Sequence, residues 1–353
     1  MVPGWKIARE ARRLREQAKA FFLRPLYEWR QRKHDANRDN RTRISTGNLP
    51  LGADVVVLLV YQPKGLAGSI FHTLDNIRAQ GMSAMVVMNA PVSDADLGQL
   101  RAHAALIMER PNFGYDFGGY RDAVLYLTRQ GLDLTSITCL NDSVWFPVFA
   151  ECDHLARMRA IDAQLVGYAY AKGLRNRKNA HVQSYFFMFR GVDFLKSSDF
   201  VSFWRDLRVS DSRYFTIRNS EMQMTRYFAD RGHQIGWLFS ADDMEAIYRS
   251  CDARNLDLTR NYLQAIGHRL SPSLAQATDP EALRALILDA FADGTLSRNV
   301  IGFEPVTLYQ HARFGAMKKA MTQNYILHRR QALRDGVVDS FAPAVAAEIR
   351  ARD

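Results

Sequence analysis

The chain has 353 residues, of which 47% are hydrophobic and 24% are charged, a composition typical of a globular protein with a sizeable core. Its net charge is +10, but residues 1–50 hold 13 Lys and Arg against 5 Asp and Glu, so the rest of the chain is close to neutral, which excludes a nucleic-acid-binding body. Three widely spaced cysteines exclude a disulfide framework. We find no signal peptide and no apolar run of membrane-spanning length, and therefore predict a cytosolic protein.

The N-terminal region is strongly basic. Residues 4–33 interleave basic and apolar side chains as an amphipathic helix does, and Pro25 breaks or restarts that helix. We expect residues 1–33 to form a peripheral anchor on an anionic membrane surface. The alternative is a solvated helix whose aromatic side chains pack on the body of the protein. The polar and charged composition of residues 34–43 predicts a linker. We therefore treat residues 1–50, the basic helix and this linker, as a separate region.

An alternation of strands and helices begins at residue 54. Continuous apolar runs predict strands at 54–61, 84–88, 104–108 and 136–140. The segments between them predict helices at 69–79, after Ser93, and at 118–130. This alternation indicates a parallel α/β sheet with right-handed crossovers.

The second half of the chain continues the sheet and then becomes helical. Strands are predicted at 164–170, 181–189 and 235–239, with helices at 194–207 and 219–231 between them. Further helices are predicted at 258–270, 279–293 and 308–350. We therefore divide the chain into an α/β domain at 51–240 and a C-terminal helical extension at 241–353.

The loop after the third predicted strand combines features of a ligand site. Gly114 and Gly118 allow a tight turn and a close approach of backbone to ligand, and Asn112, Asp116 and Arg121 supply polar groups at a strand end. Ligands of open α/β sheets bind beyond the carboxyl ends of the strands. The alternative is a plain turn in which Asn and Asp act as local caps.

A second polar loop follows the fourth predicted strand. Asn141, Asp142 and Ser143 place a carboxylate between an amide and a hydroxyl, a set that suits Mg²⁺, Mn²⁺ or a diphosphate. With one carboxylate, a metal needs diphosphate and water oxygens to complete its shell. The alternative is an Asx-turn that closes the strand. Since two neighbouring strand ends carry such groups, we predict that Asp116 and Asp142 share one site.

Three motifs in this order resemble the rhamnan synthesis protein F family. They are Arg110-x-Asn112-x-Gly114-x-Asp116-x-Gly118, Asn141-Asp142-Ser143 with Pro147, and His181-x-Gln183-Ser184-Tyr185-Phe186. The resemblance covers roughly residues 52–240. It implies a GT-A-like glycosyltransferase fold, a nucleotide-sugar donor, and transfer of rhamnose or another sugar to a cell-surface polysaccharide or a lipid-linked glycan, for which we expect inversion.

The resemblance also implies roles for individual residues. Asn141, Asp142 and Ser143 stand where GT-A enzymes place an Asp-x-Asp motif, although the first Asp is missing, and Asp142 would hold a divalent cation, Mg²⁺ or Mn²⁺. By position, the residues that would hold the nucleobase and ribose are Tyr61, Gln62 and Asn89. Arg110 offers a planar cation to a phosphate or a base edge, or alternatively a salt bridge to Asp116.

The transfer also needs a base and an acceptor site. Glu221 opens a predicted helix after the last long strand, where GT-A enzymes often supply the base, and Asp116 is the second candidate. The alternative for Glu221 is a favourable charge at a helix N-terminus. His181 and Gln183 share one strand face and would bind sugar or acceptor hydroxyls.

Two other functions stay open on the sequence. A nucleotidyltransferase also uses a parallel sheet with acidic strand ends, but it would require a Gly-rich loop after the first strand, and residues 62–65 match that loop poorly. A non-catalytic adaptor of GT-A-like fold within a polysaccharide assembly complex is the third hypothesis.

Overall fold

The computed structural model describes residues 15, 22–171, 180–212, 215–216, 219–296 and 299–353. Nearly all of the predicted basic helix before residue 22, and the basic loop at 172–179, lie outside these residues. Within the described ranges, no helix has both the length and the apolar character that crossing a bilayer requires.

The strands are numbered in chain order. They are β1 Arg43–Thr46, β2 Asp54–Val60, β3 Ser83–Met88, β4 Leu106–Glu109, β5 Ser136–Asn141, β6 Val144–Trp145, β7 Leu165–Ala171, β8 His181–Val182, β9 Phe186–Arg190, β10 Ile235–Phe239 and β11 Met317–Lys318.

The helices are numbered in the same way. They are α1 Arg24–Arg41, α2 Gly68–Ala79, α3 Asp94–His103, α4 Tyr115–Arg129, α5 His154–Ala160, α6 Val192–Lys196, α7 Ser198–Asp206, α8 Glu221–Ala229, α9 Ala241–Ser250, α10 Ala253–Ala265, α11 Ser271–Gln276, α12 Pro280–Ala292, α13 Gln323–Arg334 and α14 Pro343–Arg352. A π-helix at Val306–His311 and 3-10 turns at Val300–Gly302 and Val337–Ser340 complete the C-terminal part.

One large sheet organises the described chain. Its strand order is β1-β4-β3-β2-β5-β9-β7-β10, with β8 paired to β7. Strands β4, β3, β2 and β5 are mutually parallel, and β7 and β10 run in the same direction as these four, whereas β1, β8 and β9 run in the opposite direction. The predicted fold class, α/β with a mainly parallel sheet and flanking helices, is confirmed.

Helices cover both faces of this sheet, which explains the continuous apolar runs. In β2 the side chains of Val56, Leu58 and Val60 enter one hydrophobic cluster, while Val55, Val57 and Leu59 enter a second cluster on the opposite face. All six are at most 2% exposed. A strand buried on both sides has no face left for polar side chains, so the polar groups of this region stand at the strand ends.

The predicted strand at 181–189 is interrupted in the structure. Gly167 pairs with Phe187, and Tyr170 pairs with Val182. The chain therefore advances by three residues along β7 but by five residues between Val182 and Phe187. The two extra residues form a turn between β8 and β9. The backbone carbonyl of Tyr185 in this turn accepts a hydrogen bond from Asn141 N at 3.1 Å, which attaches the turn to the end of β5.

The predicted long helix at 308–350 is wrong. The segment instead contains the π-helix, β11, α13, a 3-10 turn and α14. Strand β11 pairs antiparallel with β6, and the Glu348 carboxylate on α14 accepts hydrogen bonds from Trp145 Nε1 at 2.8 Å and from Ser69 N at 2.7 Å. C-terminal residues also share a hydrophobic cluster with the sheet. The division of the chain at residue 240 stays a prediction.

Helix α1 extends to Arg41, so the predicted linker at 34–43 is almost wholly helical. Its second half docks on α4 through two acid–base contacts. His34 Nε2 lies 3.1 Å from Asp122 Oδ2, and Arg121 binds Asp35 with both terminal nitrogens, at 2.5 and 3.0 Å. The polar composition that suggested a linker therefore serves a packed interface.

Asp122 is the centre of that interface. Its side chain is 1% exposed and its Oδ2 also accepts a hydrogen bond from Arg110 Nε at 2.8 Å. Burial alone would raise the pKa of Asp122, but the hydrogen bond from His34 and the charge of Arg110 outweigh it, so the pKa is lowered. The carboxylate is thus ionised and compensates a buried guanidinium.

We expect Asp122→Ala to lower the free energy of unfolding by about 3–5 kcal/mol, since it leaves Arg110 buried without its partner. Urea unfolding followed by circular dichroism measures this loss. Asp39→Ala is the matched control, because Asp39 is 80% exposed in its pairs with Arg38 and Arg129, and it should cost at most about 1 kcal/mol. Equal losses in the two variants would contradict the central role of Asp122.

Two buried histidines make the fold sensitive to acid. His328 lies between the hydroxyls of Tyr262 and Tyr309, at 3.2 and 3.1 Å, and burial lowers its pKa to about 3. Burial likewise lowers the pKa of His154 to about 4. Both side chains are therefore neutral in the folded protein.

Since an unfolded histidine has a pKa near 6.5, the unfolded chain binds more protons than the folded one between that value and the folded pKa. Stability from His328 is complete above pH 6.5 and is lost as the pH falls towards 3, by about 1.4 kcal/mol per pH unit. We expect His328→Gln to reduce the slope of unfolding free energy against pH by that amount. An unchanged slope in His328→Gln would refute the assignment.

Candidate active site at the strand ends

The carboxyl ends of β2, β3, β4 and β5 meet at one edge of the sheet, because these four strands are parallel. The residues that follow each strand include most of the side chains singled out in the sequence. These are Tyr61 and Gln62 after β2, Asn89 after β3, Arg110 and Asn112 after β4, and Asp142 and Ser143 after β5.

The loop between β4 and α4 is fixed by two glycines. Gly114 has φ +79°, and a Cβ there would lie 2.8 Å from the Val209 side chain. A Cβ on Gly118 would lie 2.0 Å from the Phe113 carbonyl oxygen, so no other residue fits at this position. This close packing sets the start of α4, and Asp116 lies exposed in its first turn.

Asn141 connects the two predicted loops. Its Nδ2 donates to Asp116 Oδ2 at 2.9 Å, while its Oδ1 accepts hydrogen bonds from Ser143 N at 3.1 Å and Ser143 Oγ at 2.5 Å. The Asx-turn considered as the alternative is therefore present. The same amide also holds the Asp116 carboxylate beside that turn, so the two loops meet at one place.

Asp142 is half-buried in the turn after β5. Its Oδ2 accepts a hydrogen bond from Tyr61 N at 3.0 Å, and its own N–H donates to the Leu59 carbonyl at 3.0 Å. Burial raises the pKa of Asp142, against the opposing effects of the Tyr61 N–H and the nearby charge of Lys319. Hydrogen bonds hold the carboxylate between the ends of β2 and β5, although burial there removes part of its hydration.

The structure adds two cations that the sequence did not suggest. Lys319 N donates to the Ser143 carbonyl at 2.9 Å, and Lys318 Nζ lies 3.2 Å from Ser143 Oγ. The adjacent lysines were visible in the sequence, but nothing in the local pattern connects them to a turn 175 residues away.

Arg110 and Asn89 are directed into the protein. The Arg110 side chain is 0% exposed and donates to Asp122, to Asn89 Oδ1 at 2.6 Å and to the Phe113 carbonyl at 2.8 Å. Its carboxylate partner is thus Asp122, whereas the sequence suggested Asp116. Because these groups are buried and satisfied by one another, we assign them to the support of the Gly114 loop and do not retain them as donor-binding residues.

Three other predicted donor-binding residues lie at the edge itself. Tyr61 is 54% exposed and Asn112 is exposed, so both are accessible to a ligand. Gln62 is half-buried, and its Oε1 accepts a hydrogen bond from Ala67 N at 2.8 Å. Their roles in binding stay predictions.

His181 and Gln183 lie together beside the end of β7. Their side chains approach to 3.4 Å, and Gln183 N donates to the Ala169 carbonyl at 2.9 Å. Both are partly exposed. Their assignment to the acceptor or the sugar stays a prediction.

Glu221 is the first residue of α8, which packs on β8 through a hydrogen bond from Val182 N to Thr225 Oγ1 at 2.9 Å. Helix α8 is followed by the start of β10, which lies at the amino-terminal ends of the parallel strands. Its first turn therefore lies towards the carboxyl ends of the strands. The role of Glu221 as the base stays a prediction.

The donor set around Asp142 does not fit a cation held by the protein. Within the described ranges, no group of three or more His, Cys, Asp or Glu side chains is arranged to hold a metal. Asp142 is the carboxylate of the turn, its Oδ2 already accepts the Tyr61 N–H, and the charge of Lys319 acts on it. Positive charges next to a half-buried carboxylate disfavour a second cation there.

Two cavities open elsewhere on the surface. One, of about 660 Å³, lies between α7 and α8, and the other, of about 740 Å³, lies between α2 and residues 149–157. The residues that line them include neither Asp116 nor the turn at 141–143. The volume of these cavities alone does not identify either of them as the active site, so the strand ends stay the candidate.

Solved structures with detectable similarity share little of the chain geometry. They include a mannosyltransferase of Pyrobaculum calidifontis solved with GDP-Man and Mn²⁺ (13% identity, 95% of this chain and 96% of that chain, TM-score 0.35) and core-mannan synthase A of Aspergillus fumigatus in a Mn/GDP form (10%, 55% and 74%, TM-score 0.32). The glycosyltransferase GlyE of Streptococcus pneumoniae is a third (10%, 69% and 64%, TM-score 0.32). With TM-scores this low, we draw no argument from them.

Sequence similarity is more informative. An uncharacterized protein of Sinorhizobium fredii, y4gN, is 34% identical over 269 residues, which span 76% of this chain and 70% of the relative. The model of the family described as rhamnan synthesis protein F matches residues 84–255, a range that includes Asp116, the turn at 141–143 and Glu221. The resemblance seen in the three motifs is confirmed, and the chain belongs to the rhamnan synthesis protein F family.

Proposed function

We propose that this protein is a glycosyltransferase that moves a sugar from a nucleotide-sugar donor to a glycan or lipid-linked glycan acceptor. The observation that carries the proposal is the hydrogen-bonded connection from Asp116 through Asn141 to Ser143, next to Asp142, at the meeting point of four parallel strands. It places two carboxylates, an amide and a hydroxyl at the edge where α/β sheets bind ligands. Rhamnose or a related sugar is the donor group that the family suggests.

The accessible side chains divide the work of binding the donor. Tyr61 offers an exposed ring for stacking on a nucleobase, with Gln62 beside it. The carboxylates of Asp116 and Asp142 are suited to accept hydrogen bonds from ribose and sugar hydroxyls. His181 and Gln183 would supply further polar contacts to the sugar or the acceptor.

The chemical step in this proposal is an inverting displacement. Glu221 takes the proton of the acceptor hydroxyl as that oxygen attacks the anomeric carbon, and Asp116 is the second candidate for this role. From the sequence we expected Mg²⁺ or Mn²⁺ at Asp142. That expectation stays a prediction, and the proposal contains no step that depends on the cation.

The first test is a screen of the full chain against UDP, GDP and dTDP sugars, with release of the nucleoside diphosphate as the readout. Release from one sugar series, increased by a glycan acceptor, supports the proposal. Melting temperatures that respond only to nucleoside triphosphates would favour the nucleotidyltransferase. No turnover and no ligand response at all would favour the adaptor.

We expect Asp142→Asn to weaken donor binding about 10- to 100-fold, the cost of losing hydrogen bonds to a charged group. The same variant should melt at a higher temperature at pH 7. The pKa of Asp142 is raised in the fold, so the free energy of unfolding falls as the pH rises from the unfolded to the folded pKa, and the ionised carboxylate is a cost above both values.

Isothermal titration with the nucleotide sugar found in the screen measures donor affinity. Thermal unfolding of the same sample measures the melting temperature. Asp94→Asn, on the exposed first turn of α3, is the control and should change neither quantity. Wild-type donor affinity in Asp142→Asn would remove this residue from the site. A lower melting temperature would show that its role is structural.

We propose further that the protein works at an anionic membrane surface, on its cytosolic face. Phe22, Leu26 and Trp29 are 77%, 38% and 53% exposed and lie on one face of the helical region, at spacings of four and three. Arg30 and Lys33 lie beside them. Since the second half of α1 is docked on α4, the apolar stripe is held outward at a fixed position.

We expect Leu26→Ser combined with Trp29→Ser to reduce binding to vesicles that contain phosphatidylglycerol at least about tenfold. Co-sedimentation measures this binding, with phosphatidylcholine vesicles as the uncharged comparison. Leu132→Ser is the control, since Leu132 has the same 38% exposure as Leu26. Unchanged sedimentation of the double variant would contradict the membrane proposal and leave the enzymatic one untouched.

A further inference from the structure

The turn at 141–143 is completed by a distant part of the chain. Strand β11 pairs with β6 so that Met317 faces Trp145 and Lys318 faces Val144. The next residue, Lys319, donates its backbone N–H to the Ser143 carbonyl at 2.9 Å. Two consecutive lysines are therefore fixed against the turn by backbone hydrogen bonds.

Their ammonium groups lie on two sides of this turn. Lys318 Nζ is 3.2 Å from Ser143 Oγ and 4.3 Å from the centroid of the Tyr185 ring. Lys319 Nζ is 3.3 Å from Ser69 Oγ, at the start of α2, and interacts with the charges of Asp142 and Glu348. The side chains alternate across a strand, which explains why neighbours in sequence reach different partners.

Lys319 and Arg352 are close enough to influence each other's charge, and two carboxylates face Lys319. Burial lowers the pKa of Lys319, with Glu348 and Asp142 opposing that effect, and Arg352 lowers it further. Arg352 Cζ lies 5.7 Å and Lys319 Nζ lies 5.4 Å from the centroid of the Trp145 ring. An incoming anion with two phosphate groups would be attracted by these cations and would satisfy more than one of them.

We propose that Lys318 and Lys319 bind the diphosphate of the donor and neutralise the departing nucleoside diphosphate, so that this protein needs no divalent cation for that role. The inference rests on the proposed glycosyltransferase function. Asp142 faces Lys319, so this carboxylate already has a cation of the protein beside it.

In the transfer, the bond between the anomeric carbon and the diphosphate oxygen breaks, and its electron pair stays on that oxygen. The acceptor oxygen forms the new bond to the anomeric carbon, and its proton goes to the carboxylate base. The leaving diphosphate gains one negative charge as the bond breaks. In this proposal the ammonium groups of Lys318 and Lys319 contact the diphosphate from the two sides of the turn and stabilise the charge as it develops.

The experiment measures binding of UDP, GDP and dTDP, and of the matching nucleosides without phosphate, to the full chain in the presence of EDTA. We expect wild-type protein to bind one of these diphosphates without metal. Lys318→Met and Lys319→Met should each weaken that binding about 10- to 100-fold, the usual cost of losing a charge-assisted hydrogen bond. Nucleoside binding should not change, and Lys318→Arg should retain most of the affinity.

Lys196→Met, which removes a lysine from an exposed ion pair with Asp133, is the matched control and should bind like wild type. Lys319 also serves Glu348 and Asp142, so its variant is checked by thermal unfolding. Thermal unfolding is measured for Lys318→Met as well, and a folded Lys318→Met tests the inference even if Lys319→Met fails to fold.

The outcomes separate this inference from the function on which it rests. Diphosphate binding that requires Mn²⁺ and ignores both lysine substitutions overturns the inference and leaves the glycosyltransferase proposal standing. Equal losses for nucleoside and diphosphate would also overturn it, since they would show a general disturbance of the site. Failure of every nucleoside diphosphate to bind, with or without Mn²⁺, overturns both.

Discussion

The structure depends on a sheet whose central strands are covered on both faces. Strand β2 divides its six apolar side chains between two separate clusters, so its interior positions leave no room for chemistry. In β2, polar groups can stand only where the strand stops. Four parallel strands stop at one edge, and this constraint gathers residues from four loops into a single neighbourhood.

Within that neighbourhood the side chains fall into two layers. Arg110, Asn89 and Asp122 form a buried network that supports the loop before α4. Asp116, Asn141 and Asp142 form the upper layer, in which Asp116 is exposed, Asp142 is half-buried and Asn141 is buried. The charges of the lower layer compensate one another. In the upper layer, burial removes part of the hydration of Asp142 and raises the pKa of its carboxyl group. Such uncompensated groups are common where proteins bind ligands.

Local pattern was enough to predict the strands and the strand-end position of the site. The run from Val55 to Val60 has the composition of a strand buried on both faces, and the glycines at 114 and 118 prove to be required by their surroundings. The partner of Arg110 could not be read in the same way. Asp116 and Asp122 lie six and twelve residues beyond it, and the choice between them depends on which face of α4 is buried.

The C-terminal region was harder to predict for a related physical reason. Its apolar periodicity suggested one long helix, but the π-helix and β11 arise from pairing with β6 and from packing against the sheet. Such long-range contacts leave no periodic trace in the segment itself. Lys318 and Lys319 were overlooked for this reason, although both are plain in the sequence.

The pairing of β11 with β6 has a consequence for the order of assembly during synthesis. A ribosome releases the turn at 141–143 about 175 residues before the lysines that complete it. The nascent sheet therefore carries the acidic half of the site well ahead of its basic half. A fragment that stops before residue 317 keeps Asp142 but has neither lysine, so under the proposed binding mode it lacks the cations that would hold the diphosphate.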